Sequence, residues 1–279
     1  MSAPPAQGSF AVDAIAFWAP TLPGWSHAHG ALRDEQAPLV APAKRPAPEL
    51  LAAAERRRVP DTVALALEVA AAAVRAAERD AAALPSVFTS THGDLAVSDY
   101  MCATLATSPT LISPTKFHNS VHNAAAGYWT IATGCREAST ALSAFDASFA
   151  AGLLEAASQC SADERAVLLV AFDVEASGAL ASVVDSEGLL ACALVLAPSA
   201  GPASVCTVDW QLARETVAAP ELRSAAARSL AGNAMAGALP LLEAIATAER
   251  GDTAIALPIA PSLALRLTAR MLVAAEVQP

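Results

Sequence analysis

Short apolar runs alternate along the chain with longer segments in which apolar residues recur at helical spacing. A run of four to eight mostly apolar residues between turn signals is typical of a strand buried on both faces. The predicted strands are residues 10–18, 86–90, 139–144, 165–172, 189–196 and 205–210. The helical pattern is clearest in residues 61–80, where Val63, Leu67 and Val74 share one face while Glu68 and Arg75 occupy the other. Further helices are predicted for residues 95–107, 120–131 and 147–159.

This alternation of strands and helices predicts an α/β protein whose parallel or mixed sheet is covered by helices on both faces. The last sixty residues repeat the pattern in shortened form. They contain predicted helices at 221–230 and 234–250 and predicted strands at 253–257 and 263–267. The chain is therefore expected to consist of two unequal halves.

Composition excludes several classes of protein. The 279 residues are 54% hydrophobic and have a mean hydropathy of +0.42, which rules out disorder as the default state. The net charge of −10, with only 17 Lys and Arg residues, lacks the positive surface that nucleic acid binding needs. No apolar run reaches the roughly 20 residues of a membrane-spanning helix. Residues 1–10 have no basic segment followed by an apolar one, so we expect a cytoplasmic protein.

The cysteines and histidines give no strong sign of a metal or cofactor site. The five cysteines are far apart and form no C-x-x-C pair, so we expect small buried side chains. His118 and His122 are four residues apart, a spacing that places two imidazoles on one face of a helix. No third ligand is in sight. We expect these histidines, with Asn119 and Asn123, to make structural or interface hydrogen bonds, and we expect neither metal nor cofactor.

One long segment carries a family resemblance. Residues 113–134, S-P-T-K-F-H-N-S-V-H-N-A-A-A-G-Y-W-T-I-A-T-G, resemble the segment that leads into the nucleophile strand of β-ketoacyl synthases, in particular the short ketosynthase-like proteins of aryl polyene and xanthomonadin-type pigment clusters. Two flanking segments also resemble these synthases. F-T-S-T-H-G-D (88–94) lies where they have a strand followed by a glycine turn, and L-L-E-A-A (153–157) lies on the helix after the nucleophile elbow. The resemblance covers most of residues 10–196 and returns more weakly in 232–246.

The resemblance implies the thiolase fold, truncated in its C-terminal half. Residues 1–200 would form the ketosynthase-like N-terminal half and residues 201–279 the shortened C-terminal half, fused into one globular unit. It also implies a dimer in which the strand before the nucleophile pairs with its equivalent in the partner. Here that strand would run from Ser139 to Ser143, with residues 117–123 nearby.

Departures from an active synthase point to a different role. Claisen condensation needs a cysteine thiolate at a helix N-terminus and two supporting histidines. Counting on from Gly134 places the elbow at Phe145 and Asp146, so Asp146 stands in the nucleophile position. Asn233 stands in the position of a histidine. The resemblance then implies a chain-length-factor-type subunit that pairs with an active β-ketoacyl synthase, or with itself when expressed alone, and meets the acyl carrier protein through the complex.

Other interpretations of these residues remain open. Asp146 also fits a plain helix N-cap, an interpretation that can coexist with the first, and the helix dipole would keep its carboxylate ionised. Cys135 is a candidate displaced nucleophile, although it lies before the strand, roughly 30 Å of extended chain from the elbow at about 3.3 Å per residue. An independent acyl-thioester acyltransferase or hydrolase is the alternative function. For the chain-length-factor role, Phe145, and more weakly Phe117 and Phe149, are the candidate walls of the partner's acyl tunnel.

Overall fold

The computed structural model describes residues 6–35, 41–248 and 251–272. Its strands are β1 (Gln7–Ala19), β2 (Leu22–Pro23), β3 (Ser86–Thr89), β4 (Ser139–Leu142), β5 (Val167–Asp173), β6 (Leu190–Ala197), β7 (Cys206–Ala213), β8 (Thr253–Ala260) and β9 (Leu263–Met271). Its α-helices are α1 (Trp25–Leu32), α2 (Ala53–Arg56), α3 (Asp61–Ala76), α4 (Leu95–Thr107), α5 (Pro114–His118), α6 (Ala124–Thr133), α7 (Ser148–Asp163), α8 (Ala225–Ser229) and α9 (Leu239–Thr247).

All of these strands belong to one mixed sheet. Its order is β4-β3-β5-β6-β1-β7-β9-β8, and β2 adds a short antiparallel pair to the end of β1. β3 runs parallel to both β4 and β5, so that Val87 lies between Thr140 and Leu169. The remaining pairs, from β5–β6 to β8–β9, are antiparallel. The predicted mixed α/β architecture is confirmed.

Helices cover the sheet on both faces because the central strands are apolar on both faces. On β1, Phe10, Val12 and Phe17 pack with α7 and α9, while Ala16 and Trp18 pack with α3 and α6. β5 and β6 are buried along their whole length. Their sequences therefore show continuous apolar runs in place of alternation.

The helix predicted at 61–80 forms as α3 and is buried more widely than its apolar stripe suggested. Leu65 and Ala66 are as deeply buried as Val63 and Leu67. The reason is that α3 lies across β1, β5 and β6 and also packs against α6. The sheet covers α3 on one side and α6 covers it on another, and the small alanine side chains of α3 allow these elements to pack closely against it.

Three predicted helices have different limits. The segment predicted as a helix at 120–131 begins with a turn, and α6 starts only at Ala124. In the segment predicted at 221–230, α8 is confined to Ala225–Ser229 and is capped by Ser224. The segment 234–250 opens with a short 3-10 turn (Ala236–Ala238) before α9, and residues 249–250 lie outside the described residues. Pro240 in the first turn of α9 fits this late start because it needs no hydrogen-bond acceptor there.

The C-terminal strands extend the main sheet. β9 pairs with β7 and β8 lies beside β9 at the sheet edge. The boundary expected near residue 200 falls in the connection between β6 and β7, and the division of the chain into two halves stays a prediction. Within the described part of the chain, no helix has both the length and the apolar character to cross a membrane.

Candidate functional site

The chain makes a sharp turn between β4 and α7, at the position expected for a nucleophile elbow. Phe145 has a φ of +50° there, in the left-handed region. The Ser148 hydroxyl accepts a hydrogen bond from the Ala144 N–H at 2.9 Å and donates one to the Phe145 carbonyl at 2.6 Å. Asp146 lies inside the 3-10 turn Phe145–Ala147, and Ala147 is the N-cap of α7. The interpretation of Asp146 as an N-cap is therefore wrong, because the turn places it before the N-cap residue.

Thr91, in the loop after β3, ties this elbow to its neighbours. Its hydroxyl lies 3.4 Å from the Phe145 carbonyl oxygen and 3.3 Å from the Ala234 carbonyl oxygen. The Thr91 carbonyl in turn accepts a hydrogen bond from the Ser143 hydroxyl at 2.8 Å. One threonine thus joins the elbow that holds Asp146 to the segment before α9 that holds Asn233.

Asp173, at the end of β5, is a buried carboxylate that was not predicted from the sequence. It accepts hydrogen bonds from the Ser90 hydroxyl at 2.7 Å and from the Thr91 N–H at 2.8 Å. Burial raises the pKa of this carboxyl, while the hydrogen bonds from Thr91 and Ser90 oppose the rise. An acidic residue closing an otherwise apolar strand was the available signal. Its place beneath Thr91 makes it a support of the elbow and keeps it out of solvent.

Asn233 is buried and fully engaged with the backbone. Its side-chain amide donates to the Glu187 carbonyl at 2.9 Å and the Gly188 carbonyl at 3.2 Å, and lies 3.4 Å from the Asp173 carbonyl. Its side-chain oxygen accepts from the Met235 N–H at 2.9 Å. The Asn233 side chain, expected at the position of a histidine, therefore fixes the loop before β6 and has no donor left for a reacting oxygen.

His118 and His122 do not share a helix face. His118 ends the short helix α5 and packs edge-to-face on Tyr128, with ring centroids 6.0 Å apart. His122 lies in the turn before α6, with Nε2 2.9 Å from the Ser90 carbonyl oxygen. Asn119 is buried and accepts a hydrogen bond from the Tyr128 hydroxyl at 3.2 Å. Among the described residues, no group of three or more His, Cys, Asp and Glu side chains could hold a metal ion.

None of the five cysteines lies in the elbow turn, and four of them are buried. Cys135 is buried, and its thiol lies 3.5 Å from the Leu84 carbonyl oxygen. Cys160, Cys192 and Cys206 are also buried, whereas Cys102 on α4 is exposed. The expectation of buried cysteines is thus wrong for Cys102, because α4 lies on the outside of the molecule.

One recess borders the elbow and another borders β4. A cavity of about 220 Å³ lies beneath it, with Asp146 and Phe149 among its lining residues and Pro240 and Leu257 opposite. A groove of about 470 Å³ follows the free edge of β4. Its lining residues are His122, Asn123, Ala126, Gly127, Thr130, Ser139 and Ala141.

The three candidate wall residues lie in different surroundings. Phe149 is a core side chain, with 2% of its surface exposed. Phe117 is 62% exposed and Phe145 is 79% exposed. These two belong to a set of exposed large apolar side chains, all of which except Val183 lie between residues 105 and 145: Leu105, Leu111, Phe117, Val121, Ile131, Phe145 and Val183. Only Phe117 and Phe145 of the three aromatic candidates can therefore reach another molecule.

Comparison with known proteins places the chain in a family. Residues 25–257 match the N-terminal domain of β-ketoacyl synthases. Among solved structures, a ketosynthase (ApeO) in complex with its chain length factor (ApeC) from Xenorhabdus doucetiae gives 24% identity and a TM-score of 0.67, over 93% of this chain and 99% of that chain. The ishigamide ketosynthase/chain length factor gives 14% identity and a TM-score of 0.68, over 95% of this chain and 100% of that chain.

A third similar structure is a β-ketoacyl synthase from Burkholderia phymatum STM815, at 12% identity and a TM-score of 0.66, over 96% of this chain and 100% of that chain. None of the curated proteins compared with the chain matches it. The fold is the thiolase fold of the ketosynthases. With more than three quarters of its length inside the matched segment, the chain belongs to the β-ketoacyl synthase N-terminal domain family.

Proposed function

We propose that this chain is a catalytically inactive ketosynthase-like subunit of the chain-length-factor kind. It pairs with an active β-ketoacyl synthase that builds polyene or fatty-acid-like polyketide chains. The observation that carries this proposal is the turn between β4 and α7, which holds Phe145 and Asp146 and no cysteine, together with the Asn233 amide bound to backbone carbonyls.

The chemistry of condensation supports inactivity. The acyl chain must be held as a thioester on a thiolate, and the enolate oxygen must be met by hydrogen-bond donors. Asp146 offers a carboxylate, which is a poor acyl acceptor beside a thiolate. Asn233 already uses its donors on the Glu187 and Gly188 carbonyls. The partner therefore supplies the nucleophile, and the carrier protein delivers its acyl groups to the complex.

The two ends of the sheet support pairing through β4. At one end, β8 contains Pro258 and an irregular register between Pro258 and Ala260, which are features that discourage strand addition. At the other end, β4 (Ser139–Leu142) pairs only with β3 among the described strands and contains neither proline nor a charged residue. An open edge of this kind accepts a strand from another subunit.

The exposed apolar side chains support a large interface beside that edge. Phe117 and Val121 lie in and after α5, and Ile131 lies on α6, which borders the β4 groove. Single exposed apolar residues are common, but a concentration of them along one stretch of chain marks an interaction site. The exposed rings of Phe117 and Phe145 would contribute bulk at the end of the partner's acyl tunnel. A pigment-type polyene product is proposed from the family resemblance of residues 113–134.

Co-purification tests the proposal. The tagged chain is isolated from its host under native conditions, and the partner is identified by mass spectrometry and treated with cerulenin. We expect a β-ketoacyl synthase in equimolar amount, modified on its own elbow cysteine, while this chain stays unmodified. Transfer of acyl groups from a loaded carrier protein by this chain alone would instead establish the independent acyltransferase or hydrolase.

A further inference from the structure

Phe145 has a positive φ that the end of a helix does not explain. The other non-glycine residues with positive φ among the described residues are Asp34, Glu78 and Glu164, and each closes or follows the end of a helix. Left-handed backbone is an ordinary way to end a helix. Phe145 begins a helix, and a bulky residue in the left-handed region is strained.

A set of hydroxyl groups, which we call the elbow latch (Thr91, Ser143 and Ser148), holds this strained residue. The Ser148 and Thr91 hydroxyls both approach the Phe145 carbonyl, and Ser143 fixes the Thr91 backbone. Thr91 is held from below by the buried Asp173. Strained residues persist when their surroundings fix them in this way, and they are concentrated at functional sites.

The ring that this strain positions is not used inside the subunit. Phe145 is 79% exposed. The cavity beneath the elbow is lined by Asp146 and Phe149, and Phe145 is absent from its lining within the described residues. Burial of such a ring would be favourable. The subunit alone thus carries both the strain and an exposed aromatic ring.

We infer that Phe145 is the anchor by which this subunit binds the active synthase, with its ring seated in an apolar pocket of that partner and the elbow latch holding it ready. This role rests on the pairing proposed above. Phe145 follows the end of β4, the open sheet edge, by three residues, so it lies where that interface would continue. A pre-positioned aromatic side chain loses little entropy on binding and is typical of an interface hot spot.

Substitutions at Phe145 distinguish the effect of its strained backbone on stability from the effect of its ring on synthase binding. Phe145→Gly and Phe145→Asn both remove the ring and place a residue that accepts positive φ. We expect each variant to raise the thermal midpoint of the isolated chain and to weaken its Kd for the co-purified synthase about tenfold or more, measured by calorimetry. Phe117→Ala is the matched control, since it removes an exposed ring from ordinary helical backbone and should not raise the midpoint.

The latch is tested by Thr91→Val, which keeps the shape of the side chain and removes its hydroxyl. We expect a weaker Kd in the wild-type background and no further change in Kd when Phe145→Gly is already present. If the wild-type chain binds the synthase and Phe145→Gly binds equally well, Phe145 is not the anchor. If both Phe145 variants lower the midpoint, the backbone is not strained. If the wild-type chain binds no synthase, the proposed pairing itself fails.

Discussion

Replacing Asp146 by Cys places a thiol at the elbow without giving it a base. The Asn233 amide that would have to cooperate is bound to the carbonyls of Glu187 and Gly188. We expect Asp146→Cys to show no turnover of malonyl-loaded carrier protein, followed by mass spectrometry of the carrier. The single Asp146→Asn variant serves as the background. Condensation by the Asp146→Cys chain in the absence of a synthase would show that the elbow is a working active site.

The cysteines give a second prediction about individual side chains. Burial raises the pKa of Cys160 to about 11 and the pKa values of Cys192 and Cys206 to about 12, so these thiols stay protonated at pH 8. Cys102 is exposed. Iodoacetamide at pH 8 should therefore modify Cys102 in the native chain, read by peptide mass spectrometry. The Cys102→Ser variant should remain almost unlabelled until it is denatured. Rapid native labelling of a buried cysteine, Cys135 included, would reveal an activated thiol and favour an independent enzyme.

Among the secondary-structure elements, the open edge of β4 leads to a prediction about how this chain binds the synthase. Ala141 lies on this strand and lines the adjoining groove. Lysine on an edge strand opposes pairing with another strand. We expect Ala141→Lys to weaken binding of the synthase at least about tenfold, because the interface would have to bury an unpaired charge. Ala254→Lys on the opposite edge strand, β8, is the control, since Ala254 is exposed there. Equal loss in both variants, or none in either, would place the interface elsewhere.

Packing of α7 on the sheet gives another prediction. A Cβ atom at Gly152 would lie 2.8 Å from Thr89 Cγ2 and 3.4 Å from Leu169 Cδ1. Thr89 cannot yield easily, because its hydroxyl donates to the Ser148 carbonyl at 2.8 Å. We expect Gly152→Ala to lower the free energy of unfolding by about 1–3 kcal/mol, measured by urea denaturation. Gly127→Ala on α6, where an added Cβ would meet no described atom within 4 Å, should be neutral or stabilising.

Elements with a continuous apolar pattern could be predicted from sequence, and those set by tertiary contacts could not. β5 and β6 are buried throughout, so their apolar runs sufficed. The late start of α6 depends on the turn at His122, whose ring meets the Ser90 carbonyl from another element. The family resemblance predicted a turn at Phe145 and Asp146, and the chain turns there. Asp173 and the elbow latch come together only through the parallel pairing of β3 with β4 and β5.

In the whole molecule, the sheet has an open edge at β4 and a protected edge at β8. The elbow with Phe145 follows β4 directly in the chain, and the groove along β4 is bordered by α6, which carries the exposed Ile131. A subunit organised in this way is expected to gain stability from its partner. Because a partner that binds only the folded state stabilises it by mass action, the thermal midpoint should rise with synthase concentration.

The most direct test of the central claim is the molar mass and acylation state of the complex of this chain with the β-ketoacyl synthase from the same host. Light scattering coupled to size-exclusion chromatography gives the mass, and intact-protein mass spectrometry after incubation with acyl carrier protein locates the acyl group. We predict a one-to-one complex in which the acyl group is attached only to the synthase. Two results would contradict this prediction. One is a monodisperse monomer of this chain that does not bind the synthase at micromolar concentration, and the other is an acyl group attached to this chain.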